Sequence, residues 1–309
     1  MTNSGSCEVA VIGGGAAGIF AAISAARTGV SVVILEKMPK LGKKILASGG
    51  GRCNLSNEKI HSSFYNPEAK NLVEFVFGKF GGAEILSFFR ELGLGVFAEE
   101  GRIFPVTNQA ASVMEVLEME LARLGVRVEC SCEVTHIIPS PQPSPRGRGS
   151  DLNLSSPLRG EGRVRGETGF LIKTKTGRQF RAGEILLCGG GKSYPSLGSD
   201  GSAYALAGKF HHTIIEPVPS TVPLTVDDPW CHALQGQRIA AKATALIDGE
   251  KVRASEGELL FTKYGLSGTA ILDISEEISI AFHRNHQKSI ELEIDLVPFM
   301  GEEIGRAHV

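Results

Sequence analysis

The feature that most restricts the fold of this chain is a glycine fingerprint set between two short apolar runs. Residues 8–12 (EVAVI) read as a buried strand, Ala16 to Thr28 as an apolar helix stopped by Gly29, and Val30 to Leu35 as a second buried strand. Gly13, Gly15 and Gly18 occupy the turn and the first helical residues in the spacing GxGxxG. Each answers a different steric demand. Gly13 permits a tight turn, Gly15 lets backbone approach a pyrophosphate, and Gly18 lets the helix pack closely on the strand. Parallel strands joined by a helical crossover open a doubly wound sheet, and the helix N-terminus presents unpaired N–H groups to an anion.

Glu36 ends the second strand eighteen residues beyond Gly18. A carboxylate there accepts hydrogen bonds from ribose hydroxyls and disfavours a 2′-phosphate, so FAD or NAD is expected rather than NADP. The stretch Val9 to Ala26 is apolar enough to suggest a membrane helix. However, Gly13, Gly14, Gly15 and Gly18 punctuate it, and no cationic segment precedes it as in a signal peptide.

A second glycine run follows at once: Lys43 to Asn54 reads KKILASGGGRCN. A nicotinamide-binding unit has no need of one, whereas the amides of Gly49 to Gly51, with Arg52 and Asn54 as side-chain donors, suit the longer FAD. The succession GGGAAG, EK, GKK and SGGGRCN is similar to the N-terminal signature of the BaiN/YhiN-like family of FAD-binding, NAD(P)/FAD-dependent oxidoreductases. Further stretches carry the likeness through the chain: EEGRIFPVTNQA (99–110), GGGKSYPSLGSDGSAYALA (189–207), PVPSTVPL (217–224) and GELLFTKYGLSGTAIL (257–272).

That resemblance implies an α/β fold: an FAD-binding Rossmann-like domain, doubly wound with a β-meander, interrupted by a mostly β second domain. It also implies cofactor contacts at Gly13, Gly15, Ala16, Ala17, Gly18, Glu36, Lys37, Lys44, Gly49, Gly50, Gly51, Arg52, Cys53, Asn54, Val134, Gly189 and Gly190, with Val134 contributing backbone near the adenine. The implied activity is hydride transfer between bound FAD and a small organic substrate. Absent a second GxGxxG, any NAD(P)H must dock transiently. A flavin-binding scaffold without turnover, or an RNA-associated module, is the alternative reading. Lys263 and Thr269 stand where family members often carry histidine and proline.

Composition supports small-molecule chemistry. The net charge of −2 over 309 residues provides no field drawing the chain to nucleic acid or to an anionic membrane. The six cysteines include no CxxC pair, so neither a disulfide framework nor a zinc knuckle is expected, and a reducing cytoplasm fits best. Cys130 and Cys132, two apart in a strand-like run, are expected to share a face as small core residues. Cys53 is expected to pack beside the cofactor, since it lacks a partner thiol for disulfide chemistry. Arg102 is open to two roles, binding an anionic substrate or pairing with Glu99 or Glu100. His211 and His212 lack further ligands at metal spacing, and no metal site or catalytic residue is assigned.

The expected domains are an FAD-binding one over 1–210 and a mostly β one over 211–309. Residues 60–109 are expected to form a small helical cap, with two helices between Glu68 and Leu92 parted at Gly81–Gly82. Leu72, Phe75, Val76, Ile85, Phe88 and Phe89 supply their apolar face. Ala110 to Leu124 reads as a cleaner helix. Val126 to Ile138, Phe170 to Thr174 and Gln179 to Ala182 read as a meander leading into a strand at Glu184 to Cys188. In the second domain Ala241 to Ile247, Lys251 to Ala254, Ile278 to His283 and Ser289 to Ile294 read as strands. Residues 139–167 hold five of the 14 prolines, five arginines and five glycines without apolar period, and are expected to be a disordered, dispensable insert rather than a basic RNA-binding arm.

Nothing after residue 275 reads as the strand, glycine turn and helix that would close an interrupted FAD domain, so the chain is expected to stop inside its second domain. The last seven residues, Glu303 to Val309, read as the frame translation of a common sequencing adapter. The 309-residue chain is therefore expected to hold FAD poorly and to expose apolar surface.

Overall fold

The computed structural model describes residues 5–140, 169–287 and 289–300. The chain divides into two compact units, residues 1–214 and 215–309.

The first unit runs β1 (Gly5–Ile12), α1 (Ala16–Arg27), β2 (Val32–Leu35), α2 (Lys43–Ala47), β3 (Ser56–Asn57), α3 (Lys70–Phe77) and α4 (Gly82–Glu91). It continues through β4 (Val96–Glu99), β5 (Arg102–Pro105), α5 (Ala110–Arg123), β6 (Arg127–Glu129), β7 (Val134–Pro139), β8 (Phe170–Thr174), β9 (Gln179–Leu187) and α6 (Ser202–Gly208). Six strands form one sheet in the order β6-β2-β1-β9-β8-β7. β6, β2, β1 and β9 are mutually parallel, while β9, β8 and β7 form an antiparallel meander. β3, β5 and β4 make a small separate sheet.

Both faces of the central strands are covered, which is why they read as unbroken apolar runs rather than alternating ones. Val11, Val32 and Ile34 pack with Ile19 and Ile23 of α1 and Leu117 and Leu121 of α5. Ala10, Ile12, Val33 and Leu35 point to the other face, where they meet Ile172, Phe180 and Leu206. The period of two along each strand thus assigns alternate residues to two cores.

Val126 to Ile138 is two strands: the chain bends at Ser131, at φ +51°, between β6, which extends the parallel side, and β7, which joins the meander. Cys130 and Cys132 therefore sit in a turn instead of sharing a strand face. Gln179 to Ala182 and Glu184 to Cys188 form one strand, β9, continuous through Gly183. The two helices of the cap form, but only α4 buries its face. Phe88 and Phe89 pack on Phe20 with ring centroids 4.5 and 5.7 Å away, whereas Leu72 and Phe75 of α3 are 66% and 61% exposed.

The second unit contains β10 (Leu224–Thr225), α7 (Pro229–Ala233), β11 (Arg238–Ile247), β12 (Glu250–Thr262), β13 (Gly265–Ser267), α8 (Thr269–Leu272), α9 (Ser275–His283) and β14 (Ile290–Asp295). Its sheet is antiparallel throughout, ordered β10-β13-β12-β11-β14. Asp248 and Gly249, both at positive φ, close the two-residue hairpin between β11 and β12. Ala241, Ala243 and Ala245 alternate inward against Leu259, Ile271 and Ile274. Ile278 to His283 is helical, contrary to the strand expected there. The apolar alternation of Ile278, Ile280 and Phe282 suggested a period of two, but Ile274, Ile278 and Ala281 are the buried set and follow a helical stripe. Glu276 and Glu277 in the first turn of α9 favour the helix dipole.

Residues 141–167 of the proline- and arginine-rich run, and Glu303 to Val309, lie outside the described residues. No helix among the described residues is long and apolar enough to cross a membrane.

Candidate functional site

A cavity of about 590 Å³ opens at the carboxyl ends of β1, β2 and β9. This is the crevice in which an open α/β sheet reverses strand order, and its position follows from the topology.

The first glycine loop forms its floor. Gly13 turns at φ +106°, its N–H donates to Leu35 O at 2.9 Å, and a Cβ there would meet Cys188 O at the end of β9 at 2.5 Å. A Cβ on Gly18 would overlap the carbonyl oxygen of Gly13, so α1 packs on the loop only because residue 18 is glycine. Gly15 differs: it lines the cavity, and a Cβ built on it has no atom within 4 Å. The space beside it is the cradle the fingerprint implies. No side chain caps the start of α1, so its first N–H groups, with Ala16 and Ala17 at the cavity wall, point at that space as anion donors.

Glu36 is 8% exposed, and backbone donors fix both its oxygens. Oε2 accepts from Gly14 N at 2.5 Å and Oε1 from Met38 N at 2.7 Å. Each carboxylate oxygen has capacity for a further hydrogen bond and Glu36 lines the cavity, so the carboxylate ties the glycine loop and can still accept from a ligand hydroxyl. Lys37, the next residue, donates from Nζ to Asp200 Oδ1 at 2.5 Å and to Ser202 Oγ at 3.0 Å. Lys44 on α2 donates to Ser193 Oγ at 2.5 Å. Lys37, Lys40, Lys43 and Lys44 line the cavity against Glu36 and Glu133, a cationic surplus that suits a diphosphate.

The second glycine run holds four left-handed residues in five: Gly49, Gly50, Gly51 and Cys53, at φ +56°, +66°, +89° and +62°. Three are glycines, which adopt this conformation freely. Cys53 is not, and such a residue costs on the order of 1 kcal/mol held in place by its surroundings. Cys53 and Asn54 reach the cavity wall. Gly49, Gly50, Gly51 and Arg52 do not line it, and Gly18 lies beneath it. Arg52 turns away: its Nε donates to Asn108 Oδ1 at 2.9 Å, Nη2 pairs with Glu99 at 2.7 Å, and its guanidinium lies 4.0 Å from the Phe104 ring centroid. It anchors the loop to the β4–β5 hairpin, and it takes Glu99, one of the partners considered for Arg102.

Val134, Gly189 and Gly190 complete the predicted set at the wall. Met38, Cys132, Cys188, Leu197, Gly198, Ser199 and Ser202, none of them assigned to the cofactor from sequence, also line it. For the last three the signal was present in the run GSDGS, but only as part of a longer resembling stretch. Burial pushes the thiols of Cys53, Cys132 and Cys188 up, so they stand protonated at neutral pH as apolar wall rather than as nucleophiles.

The residues therefore fit a dinucleotide: room at Gly15 where a Cβ would intrude, uncapped helix donors, a fixed carboxylate at the ribose position, and lysines at the rim. Comparison with known proteins agrees. The chain is 38% identical over 295 residues to a 3-dehydro-bile acid delta(4,6)-reductase from Clostridium scindens, covering 95% of this chain and 65% of that protein. It is 28% identical to a ribosomal RNA dihydrouridine synthase from Haemophilus influenzae, covering 97% of this chain and 67% of the relative. To the Escherichia coli protein of the same name it is 25% identical, covering 96% and 66%. The chain spans about two thirds of the length of these relatives. The family model described as HI0933-like protein Rossmann domain matches residues 7–277, and the chain belongs to that family.

Proposed function

We propose that this chain binds FAD in the cavity at the ends of β1, β2 and β9, and acts as a flavin-dependent oxidoreductase that saturates a carbon–carbon double bond conjugated to a carbonyl, with NAD(P)H as electron source. The observation that carries the reading is the open space beside Gly15, bounded by the uncapped start of α1 and the fixed Glu36 carboxylate. The bound group would supply hydride transfer. The chain's own residues bind and orient it. The first N–H groups of α1 hold the diphosphate, Glu36 accepts from the ribose hydroxyls, Asn54 offers an amide at the cavity wall, and the protonated thiols with Leu35, Leu55 and Val134 keep the wall apolar.

The substrate class rests on the relatives' names. One is a reductase of double bonds in a bile acid, and two make dihydrouridine, in which the ring double bond beside a carbonyl is saturated. The 38% identity to the bile acid enzyme favours a small molecule, and a uridine in RNA is the second reading, supported by the other two names. Anaerobic mixing of FAD-loaded protein with NADH or NADPH, then with a conjugated steroid dienone or with unmodified ribosomal RNA, tests both. Loss of absorbance at about 450 nm with a nicotinamide, and its recovery with one acceptor, is expected. A flavin that neither nicotinamide reduces and neither acceptor reoxidises leaves a binding scaffold and sinks the proposal.

A further inference from the structure

The segment after β9 returns across the face of the cavity. Leu197, Gly198, Ser199 and Ser202 line it together with Lys37 and Met38. Gly198, at φ +97°, lies so close to the end of β2 that a Cβ would meet Met38 Cγ at 3.0 Å and Lys37 Cε at 3.6 Å. One charged link holds this approach. Lys37 Nζ donates to Asp200 Oδ1 at 2.5 Å, joining residues 163 apart in sequence, with the two side chains 20% and 46% exposed. The same Asp200 oxygen accepts from Ser202 N at 3.0 Å at the start of α6, so the carboxylate is fixed before it meets the lysine. Hydrogen bonding from Lys37, ahead of the opposing cost of burial, holds the Asp200 carboxyl well below the usual carboxylate range, so Asp200 is ionised across the neutral range.

We propose that Asp200 is a positioning residue for the dinucleotide: by holding the Lys37 ammonium it staples residues 197–202 against the end of β2 and sets how long a dinucleotide stays in the cavity. This rests on the cavity being the FAD site. Asp200 does not line the cavity. It acts through Lys37, whose stem lines the wall, and through the segment that the bridge keeps seated. A pair this exposed yields a modest effect that salt screens.

The test is the release rate of FAD from loaded protein, followed by the rise of free-flavin fluorescence on dilution, at low and at high salt. Asp200→Asn keeps an oxygen able to accept from Ser202 N, so α6 retains its start while the charge is lost. Release from Asp200→Asn is expected to be about three- to tenfold faster than wild type at low salt. The difference should shrink at high salt, and in a Lys37→Met background Asp200→Asn should add nothing further. Amide exchange over 197–202, measured without FAD, should rise in Asp200→Asn, and Asp200→Glu should restore part of the slow release. Unchanged release in Asp200→Asn overturns the proposal, as does an acceleration that persists at high salt and adds fully to that of Lys37→Met. A wild-type chain that takes up no FAD overturns the site reading itself, which separates the two failures.

Discussion

Two glycines of one motif have opposite consequences when a side chain is added. Gly18 has no room, because its Cβ would overlap the Gly13 carbonyl, whereas Gly15 faces open cavity and sits at an ordinary φ of −82°. Gly18→Ala is expected to lower stability by about 3 kcal/mol or more, read by thermal or urea unfolding without cofactor, since backbone must shift to admit the methyl. Gly15→Val should cost at most about 1 kcal/mol as a poor helix cap, yet abolish FAD uptake by filling the diphosphate's place. If Gly15→Val retains FAD, or if Gly18→Ala is as stable as wild type, the assignment of the loop fails. Glu36→Gln presents an amide to two backbone N–H donors that now share one carboxylate, so one donor loses its acceptor, and FAD affinity should fall by roughly tenfold in fluorescence titration. These positions were legible in the sequence because their demands are local: a turn, a close approach, a strand end. Lys37 with Asp200, and Arg52 with Glu99, were not, because spacing carries no information about which charges meet across the fold.

Between elements, α1 and α5 are joined by a buried carboxylate. Glu120 on α5 is 5% exposed and accepts from Arg123 Nε at 2.6 Å and from Arg27 Nε and Nη2 at 3.0 and 2.9 Å. Hydrogen bonding from Arg123, then from Arg27, outweighs burial and lowers its pKa from 4.5 to about 2. A carboxylate depressed in the folded state stabilises it above the unfolded pKa, and that contribution disappears as pH falls from about 4.5 to about 2. Its upper bound is on the order of 3 kcal/mol, reduced in practice by the exposure of both arginines. Glu120→Gln should therefore lower the thermal midpoint at pH 7, with the deficit shrinking toward pH 3. A deficit independent of pH would show that packing, and not charge, is what the substitution removes. Helices with a strong apolar stripe, such as α1 and α5, were readable from sequence alone. The errors fell where period misleads: Ser131 breaks a continuous β-prone run into two strands, and Ile278, Ile280 and Phe282 alternate within what is α9. Burial of one face decides such cases, and for α9 the partner is the alanine row of β11, invisible in a local window.

At the scale of the whole chain, the architecture depends on which segments cross between layers and which merely leave and return. β1, β2 and β9 bring distant stretches to one crevice, and the resemblance spread over most of the chain made that arrangement legible. In contrast, the run beginning at Pro139 departs and returns at a hairpin whose two ends are already joined. Pro139 pairs with Phe170 in the register of β7 and β8, and Ser140 N donates to Gly169 O at 2.7 Å. Those strands also pair His136 with Lys173 and Ile137 with Ile172. Closing a long loop costs only slightly more than closing a short one, about 0.6 kcal/mol per doubling of length, so shortening it should stabilise slightly if at all. Replacing residues 141–168 with Asn-Gly gives the two-residue turn that suits an antiparallel pair with right-handed twist. The shortened protein is expected to keep its thermal midpoint and its FAD affinity, because neither β7 nor the Val134 end of the cavity depends on the loop for its register. A loss of more than about 2 kcal/mol in urea unfolding, or a weakened FAD titration, would show instead that the removed residues pack on the meander and hold Val134 at the cavity wall.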